Sequence, residues 1–527
     1  MRTLEDVMED LGGMGKFQVY LILLVELSEL FTGWSMLMMS FAGLVPTFQC
    51  VVDDVQDAAA SRVVGLNASN DNIVNHLPPY DNATFNTCEV NATSCSAFSF
   101  SGHVQTVISE WSLVCGRKWA KQVITSVQMA GVLVGATFAG QFSDSFGRKT
   151  TLYGSCLYHI VMNVIAAFSV SWIMFAVMRF LIGVGMGAIM VVTFTFEVEF
   201  MPIRWRALLS IMPTWALGVA IFALASYLLE NWWHLHLALA AMSSITFLGW
   251  FYLPESVRWL CLKGRLDEAR CVLEKVATIN GGHVPSDADD VLKNILQNEL
   301  RERKENKKYT YLDLFKSMSM VKTDVIIWIH WFTLSFTFYG ISFGVSSFSG
   351  NLYLNIFLLA VLEIPVRLTI FYFNNRFGRR NTTMTFFLLS AIPAMGCLLA
   401  HLLAPKEVRD TVVNVLCLTM KMFLGSAWGC STVWTSEVYP TVVRNLGYSW
   451  ASFGARIGGI LAPFLINFDS MPGESYVIMT AVLFICTGSC LFLKETKDVV
   501  LTNSLRDKTK FDDNMEAEAM MKGVPMS

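Results

Sequence analysis

Long apolar stretches separated by short polar turns run through most of this chain. One set lies near residues 18–40, 119–141, 150–170, 172–195, 207–229 and 235–253. A second set lies near 324–346, 352–373, 381–402, 411–434, 445–466 and 474–493. Each is long enough to cross the ~30 Å hydrocarbon core of a bilayer as a helix. Helix is required because lipid offers no partner to backbone amides and carbonyls. The stretches are also too long and too uniformly apolar for barrel strands. The pattern predicts an all-α membrane protein of twelve transmembrane helices.

Two polar regions interrupt the pattern. Residues 254–322 are charged, with the run Arg301-Glu302-Arg303-Lys304-Glu305-Asn306-Lys307-Lys308, and read as a linker with short surface helices. Residues 47–118, about one loop between the first two spans, hold the sequons at Asn67, Asn82 and Asn91 and the cysteines Cys50, Cys88, Cys95 and Cys115. Sequons and cysteines together argue for an external, oxidising face, with two disulfides in any of three pairings. The expected divisions are 1–253, a first six-helix bundle including that glycosylated loop; 254–322, the cytosolic linker; 323–495, a second bundle; and 496–527, a cytosolic tail. Basic residues in the linker and in Gly147-Arg148-Lys149 and Gly378-Arg379-Arg380 put those turns and both termini in the cytosol. The sequon at Asn381 would then go unused. The acidic start, Glu5, Asp6, Glu9 and Asp10, does not resemble a cleaved leader, so the first span is expected to stay as an anchor.

The halves repeat one another. Gly140 to Lys149 follows the second span, and Asn374 to Arg380 follows the eighth. Pro254-Glu255-Ser256 ends the sixth span, and Lys494-Glu495-Thr496 ends the twelfth. Such repetition indicates two pseudo-symmetric bundles with a substrate site between them near the bilayer midplane. Composition agrees: 54% of residues are hydrophobic and 15% charged, where a soluble domain carries about a quarter charged residues. The net charge of -3 gives no reason to expect nucleic acid. No nucleotide loop, zinc spacing or nucleophile elbow marks an enzyme, a metal or a cofactor.

The turn G-x-x-x-D-x-x-G-R-K, built here from Gly140, Asp144, Gly147, Arg148 and Lys149, resembles the signature of the major facilitator superfamily. Further motifs are similar to those of its organic cation, anion and zwitterion (carnitine-type) transporters. They are Ser109-Glu110-Trp111-Ser112-Leu113-Val114-Cys115, Pro254-Glu255-Ser256-Val257-Arg258-Trp259-Leu260, Glu363-Ile364-Pro365 and Ser436-Glu437-Val438-Tyr439-Pro440-Thr441-Val442-Val443-Arg444-Asn445. The resemblance covers nearly the whole chain. It implies the major facilitator fold, alternating access, a gating turn at Asp144, Gly147 and Arg148, and a large glycosylated loop. It also implies cavity positions at Trp331, Phe338, Tyr339, Glu363, Trp428 and Thr432, with Lys421 a basic residue at the start of the tenth helix. At Arg456 the resemblance gives Asp in dedicated cation carriers and Arg in anion and carnitine-type carriers.

A charge inside a bilayer costs ~2.5–3.5 kcal/mol on insertion scales, so each one has a partner or a purpose. Glu26 and Glu29 share a face of the first span. Glu197 and Glu199 are expected to pair structurally with Arg204 and Arg206. Arg456 favours a carboxylate, whereas Glu29 and the aromatics favour an amine. A carnitine-like or amino-acid-like zwitterion reconciles them. An organic anion carrier or exchanger, a proton- or sodium-coupled cation carrier using Glu29 and Glu363, and a non-transporting receptor on the same fold are the competing readings. The expected partners are a small organic ion, the lipid bilayer and a coupling ion or counter-substrate, with the monomer as the working unit. The ending Val524-Pro525-Met526-Ser527 holds no retrieval sequence, which points to the plasma membrane.

Overall fold

The computed structural model describes residues 3–51, 86–90, 93–95, 97–305, 311–440, 443–465 and 473–497. Twelve helical spans form two bundles. In the first bundle α1 is Lys16–Ala42, α2 Trp119–Phe146, α3 Arg148–Ala167, α4 Trp172–Phe200 and α5 Thr214–Leu228, and α6 is Trp232–Ser243 continuing through a 3-10 turn to Tyr252. In the second, α7 is Met318–Phe343, α8 Leu352–Val361 plus Glu363–Phe377, α9 Arg379–Leu403, α10 Lys406–Val438, α11 Arg444–Leu465 and α12 Glu474–Ser489. Among the described residues nine of these spans are long and apolar enough to cross a membrane by length and composition. The shorter α5 and the more polar α3 and α11 complete the set.

Two spans are broken where proline requires it. The continuous helix expected over 207–229 is instead Arg206–Ile211, then an extended Met212, then α5. Pro213 explains the break, since the residue before a proline is pushed out of the helical region. In α8 the break falls at Leu362: in a continuous helix Pro365 would clash with the carbonyl of Val361, four residues before it, and it occupies the first turn of the second segment instead. The break at Met212 frees its carbonyl, which accepts from Arg367 of the second half.

Close packing inside each half depends on absent side chains. A Cβ on Gly131 or Gly135 of α2, or on Gly183 or Gly187 of α4, would run into a backbone carbonyl of the facing helix. Apolar lipid supplies little drive for helices to associate, so such contact between backbones carries much of the packing. Beside it, Arg179 of α4 is fully buried; its guanidinium donates to the Ser35 carbonyl at 3.2 Å and to Gln128 Oε1.

The linker is folded. Helices Val257–Leu262, Leu266–Asn280 and Ala288–Glu305 share an apolar core with the N-terminal helix Leu4–Asp10 and the near ends of α1, α3 and α4. Asn280 fastens this unit, accepting from Phe17 N at 2.9 Å and donating to the Leu11 carbonyl at 2.9 Å. At the opposite end, strand Phe48–Val51 pairs antiparallel with Ala97–Phe100, and the disulfides are Cys50–Cys95 and Cys88–Cys115. The sequon residues Asn67, Asn82 and Asn91 lie outside the described residues.

The two halves meet closely at this disulfide end. Ser40 donates to the Ser342 carbonyl at 2.9 Å, Lys121 to Ser346 at 3.2 Å and Ser126 to the Ile460 carbonyl at 2.7 Å. The ring of Tyr353 of α8 packs at a tilt against Phe41 of α1 and edge-to-face against Tyr227 of α5.

Candidate functional site

At the linker end each half carries the same charged turn. Gly147, between α2 and α3, has φ +103°, which favours glycine, and a side chain there would meet the Glu255 carboxylate. Glu255 Oε1 accepts from the amides of Arg148, Lys149 and Ser256 at 2.9, 3.1 and 2.9 Å, satisfying the first turn of α3. Arg148 bridges Asp144 at 2.8 Å and Glu199 at 3.1 Å and donates to the Ser143 carbonyl. In the second half Gly378 has φ +91° and Glu495 takes the place of Glu255, accepting from Arg379 N, Thr496 N and Lys497 N. Arg379 pairs with Glu437 at 3.0 Å. These clusters therefore tie α2, α3 and α4, and α8, α9 and α10, within their own bundles.

Between the bundles lies a cavity of about 200 Å³. The first half contributes Glu26 and Glu29 from α1, Thr193 and Glu197 from α4, and Thr214 and Trp215 from α5. The second half contributes Phe338 and Tyr339 from α7, Arg367 from α8 and Trp428 from α10. Glu26 and Glu29 sit three residues apart on one face of α1. Glu26 accepts from the Thr214 hydroxyl, which the Pro213 break brings within reach. Arg367 is paired with Glu363 at 3.1 Å and also donates to the freed Met212 carbonyl at 3.3 Å, a contact between halves.

Trp428 is the centre of the aromatic wall. Its ring lies 5.5 Å from Phe338, 6.3 Å from Tyr339 and 5.7 Å from Trp331, centroid to centroid. Trp331 itself stands behind this wall, 3% exposed, with its indole N–H on Thr435 at 2.9 Å. Thr432 also lies outside the lining and returns its hydroxyl to the Trp428 carbonyl at 3.0 Å. Lys421 is buried with its ammonium over the Phe338 ring. Arg456 of α11 is half-buried and is not among the residues that line this cavity. It makes no salt bridge among the described residues, and its Nε is buried without a hydrogen-bond partner.

One assignment needs correcting. Glu197 and Glu199 do not pair with Arg204 and Arg206, which reach Glu9 at 3.7 Å and Glu5 at 2.9 Å on the N-terminal helix. Residues two apart point to different faces of a helix. Glu199 therefore turns to Arg148, while Glu197 turns to the cavity. That spacing was the signal available for separating them.

Known proteins agree with this architecture. The sugar (and other) transporter family matches residues 73–504. Solute carrier family 22 member 6-B of Xenopus laevis is 28% identical over 98% of both chains. Solute carrier family 22 member 7 of Bos taurus is 29% identical over 99% of both. Among solved structures, the xylose transporter XylE of E. coli in its inward open conformation superposes with a TM-score of 0.62 at 16% identity, covering 91% of this chain and 97% of that one. These relatives are carriers and not enzymes. The chain belongs to the sugar (and other) transporter family, and within the major facilitator superfamily to the organic-ion carriers of the solute carrier 22 type.

Proposed function

We propose that the protein moves a small amine-bearing organic ion, with a carnitine-like zwitterion as the leading class, across the plasma membrane by alternating access. The observation that carries this reading is the division of charge around the cavity. Carboxylates of Glu26, Glu29 and Glu197 line it from one half, and the other half holds the Arg456 guanidinium on α11, outside the lining, with a buried Nε that has no hydrogen-bond partner among the described residues. An ammonium beside the carboxylates and the ring faces of Phe338 and Trp428 leaves a carboxylate free to reach toward Arg456. Arg367 is already neutralised by Glu363, so it competes less for that group. Trp331 and Thr432 act by supporting Trp428.

In this reading the linker end faces the cytosol and the disulfide end faces out, as the basic turns require. The contacts of Ser40, Lys121 and Ser126 then hold the outer side shut, and the Asp144–Arg148–Glu199 cluster keeps the first bundle rigid while it rocks. The test is uptake by purified protein in liposomes of labelled carnitine, tetraethylammonium and an aromatic carboxylate. Carnitine uptake exceeding the carboxylate supports the proposal. Preference for the carboxylate alone would move the protein to the organic-anion reading, which Arg456 would then carry.

A further inference from the structure

An apolar groove of about 460 Å³ runs along the flank of the first bundle between α2 and α3. Phe138, Phe142 and Phe146 recur at every fourth position of α2, so they share one face and form one rim, and all three are exposed. Gly154 of α3 and Gly185 and Ala188 of α4 line the groove without long side chains, and a Cβ on Gly154 would meet open space. The three helices are membrane spans, so the groove opens on hydrocarbon and not on water.

At its linker end the groove passes Phe146 and Thr150, which line both spaces, into a second cavity of about 460 Å³ between α3, the end of α6 and the linker helices. Three lysines gather around the tryptophans of this cavity. The Lys149 ammonium lies 4.8 Å from the centre of the Trp250 ring, and that of Lys263 lies 5.6 Å from the centre of the Trp259 ring. Lys275 donates to the Tyr252 carbonyl at 2.7 Å. Among the described residues none of these ammonium groups is in a salt bridge. The carboxylates of the cavity are already engaged, Glu255 by the amides of Arg148, Lys149 and Ser256, and Glu268 by Arg265 at 2.6 Å. A surplus of lysine beside tryptophan, at the end of an apolar groove, suits the headgroup level of a bilayer.

We propose that these two spaces hold one anionic phospholipid from the leaflet at the linker end, its phosphate beside Lys149 and one acyl chain in the groove along Phe138, Phe142 and Phe146. A free phosphate would use only the cavity and a neutral chain only the groove; their continuity through Phe146 and Thr150 fits one molecule with both parts. The groove belongs to a single bundle, and the cavity joins that bundle to the linker helices. The bound lipid therefore fastens the linker to the first bundle throughout the transport cycle. This site is separate from the central cavity and stands whatever the carried solute is.

Binding of labelled phosphatidylserine and phosphatidylcholine, with matched chains, to purified full-length protein in detergent reads this directly. The natural protein holds phosphatidylserine at least about fivefold more tightly than phosphatidylcholine, and Lys149→Gln weakens phosphatidylserine about fivefold. Gly154→Leu, which fills the groove without meeting a neighbouring helix, weakens it several-fold as well. Glycerophosphoserine, the headgroup without its chains, does not displace the lipid at equal concentration. Equal binding of the two lipids by the natural protein overturns the proposal, as does phosphatidylserine binding unchanged in either variant. Displacement by glycerophosphoserine overturns the part of the groove. If a variant does not reach a folded state, the lipid comparison and the headgroup competition on the natural protein decide.

Discussion

Glu363 and Arg367 hold a charge pair in the interior, with the carboxylate 3% exposed and the guanidinium also on the Met212 carbonyl. Removing one member of a buried pair leaves the other uncompensated and costs about 3–5 kcal/mol. Glu363→Gln is therefore expected to lower surface expression several-fold, and replacing Arg367 with Gln in the same chain should restore much of it. A surface-labelling measurement on the two variants checks this; equal expression of natural protein and Glu363→Gln would remove the pair from the account. At this scale the sequence was informative where motifs repeat. Glu255 and Glu495 stand at corresponding places in the two halves of the sequence, and each accepts from backbone amides at the start of a helix. Glu197 was misread because four charged residues crowd within ten positions, and proximity along the chain hid their opposite directions. The contact of Arg367 with the Met212 carbonyl joins helices from different halves, which no local pattern encodes.

Among the elements, hydropathy located all twelve spans, because a segment facing lipid on one side and helices on the other is apolar nearly all round. It was silent on the breaks at Met212 and Leu362, although Pro213 and Pro365 carry the cause. The break at Met212 brings Thr214 to Glu26 and frees the Met212 carbonyl for Arg367. The loop cysteines were visible, but their pairing as Cys50–Cys95 and Cys88–Cys115 needed the strand register of Phe48–Val51 on Ala97–Phe100. The α2–α4 contact gives a prediction of its own. Gly183→Leu places a side chain against the Gln128 carbonyl, and overpacking of this kind costs typically about 1–3 kcal/mol. The thermal midpoint of the purified variant should fall by about 1–3 °C. Gly154→Leu on α3, where a side chain meets open space, should leave it unchanged. Equal midpoints for the natural protein and Gly183→Leu would show that the helices do not depend on this approach.

For the whole molecule, alternating access requires the outer contacts to separate in each cycle. Lys121 and Ser346, joined at 3.2 Å across the two halves, offer a place to prevent it. With the exposed Cys271 replaced by serine, Lys121→Cys and Ser346→Cys joined by a short cleavable cross-linker should reduce uptake by more than about tenfold, and cleavage should restore it. Uptake that survives efficient cross-linking would place the moving contact elsewhere. The central claim is that opposite ends of one substrate are read by opposite halves, the amine by Glu29 and its neighbours and the carboxylate by Arg456. The most direct measurement is uptake of carnitine, tetraethylammonium and an aromatic carboxylate by the natural protein, Arg456→Asp and Glu29→Gln, each normalised to surface protein. Arg456→Asp should lower carnitine uptake by at least about tenfold, since attraction becomes repulsion in a poorly screened site, and leave tetraethylammonium equal or higher. Glu29→Gln should lower both amine-bearing probes and spare the carboxylate. The same fractional loss for all three solutes in both variants would contradict the account.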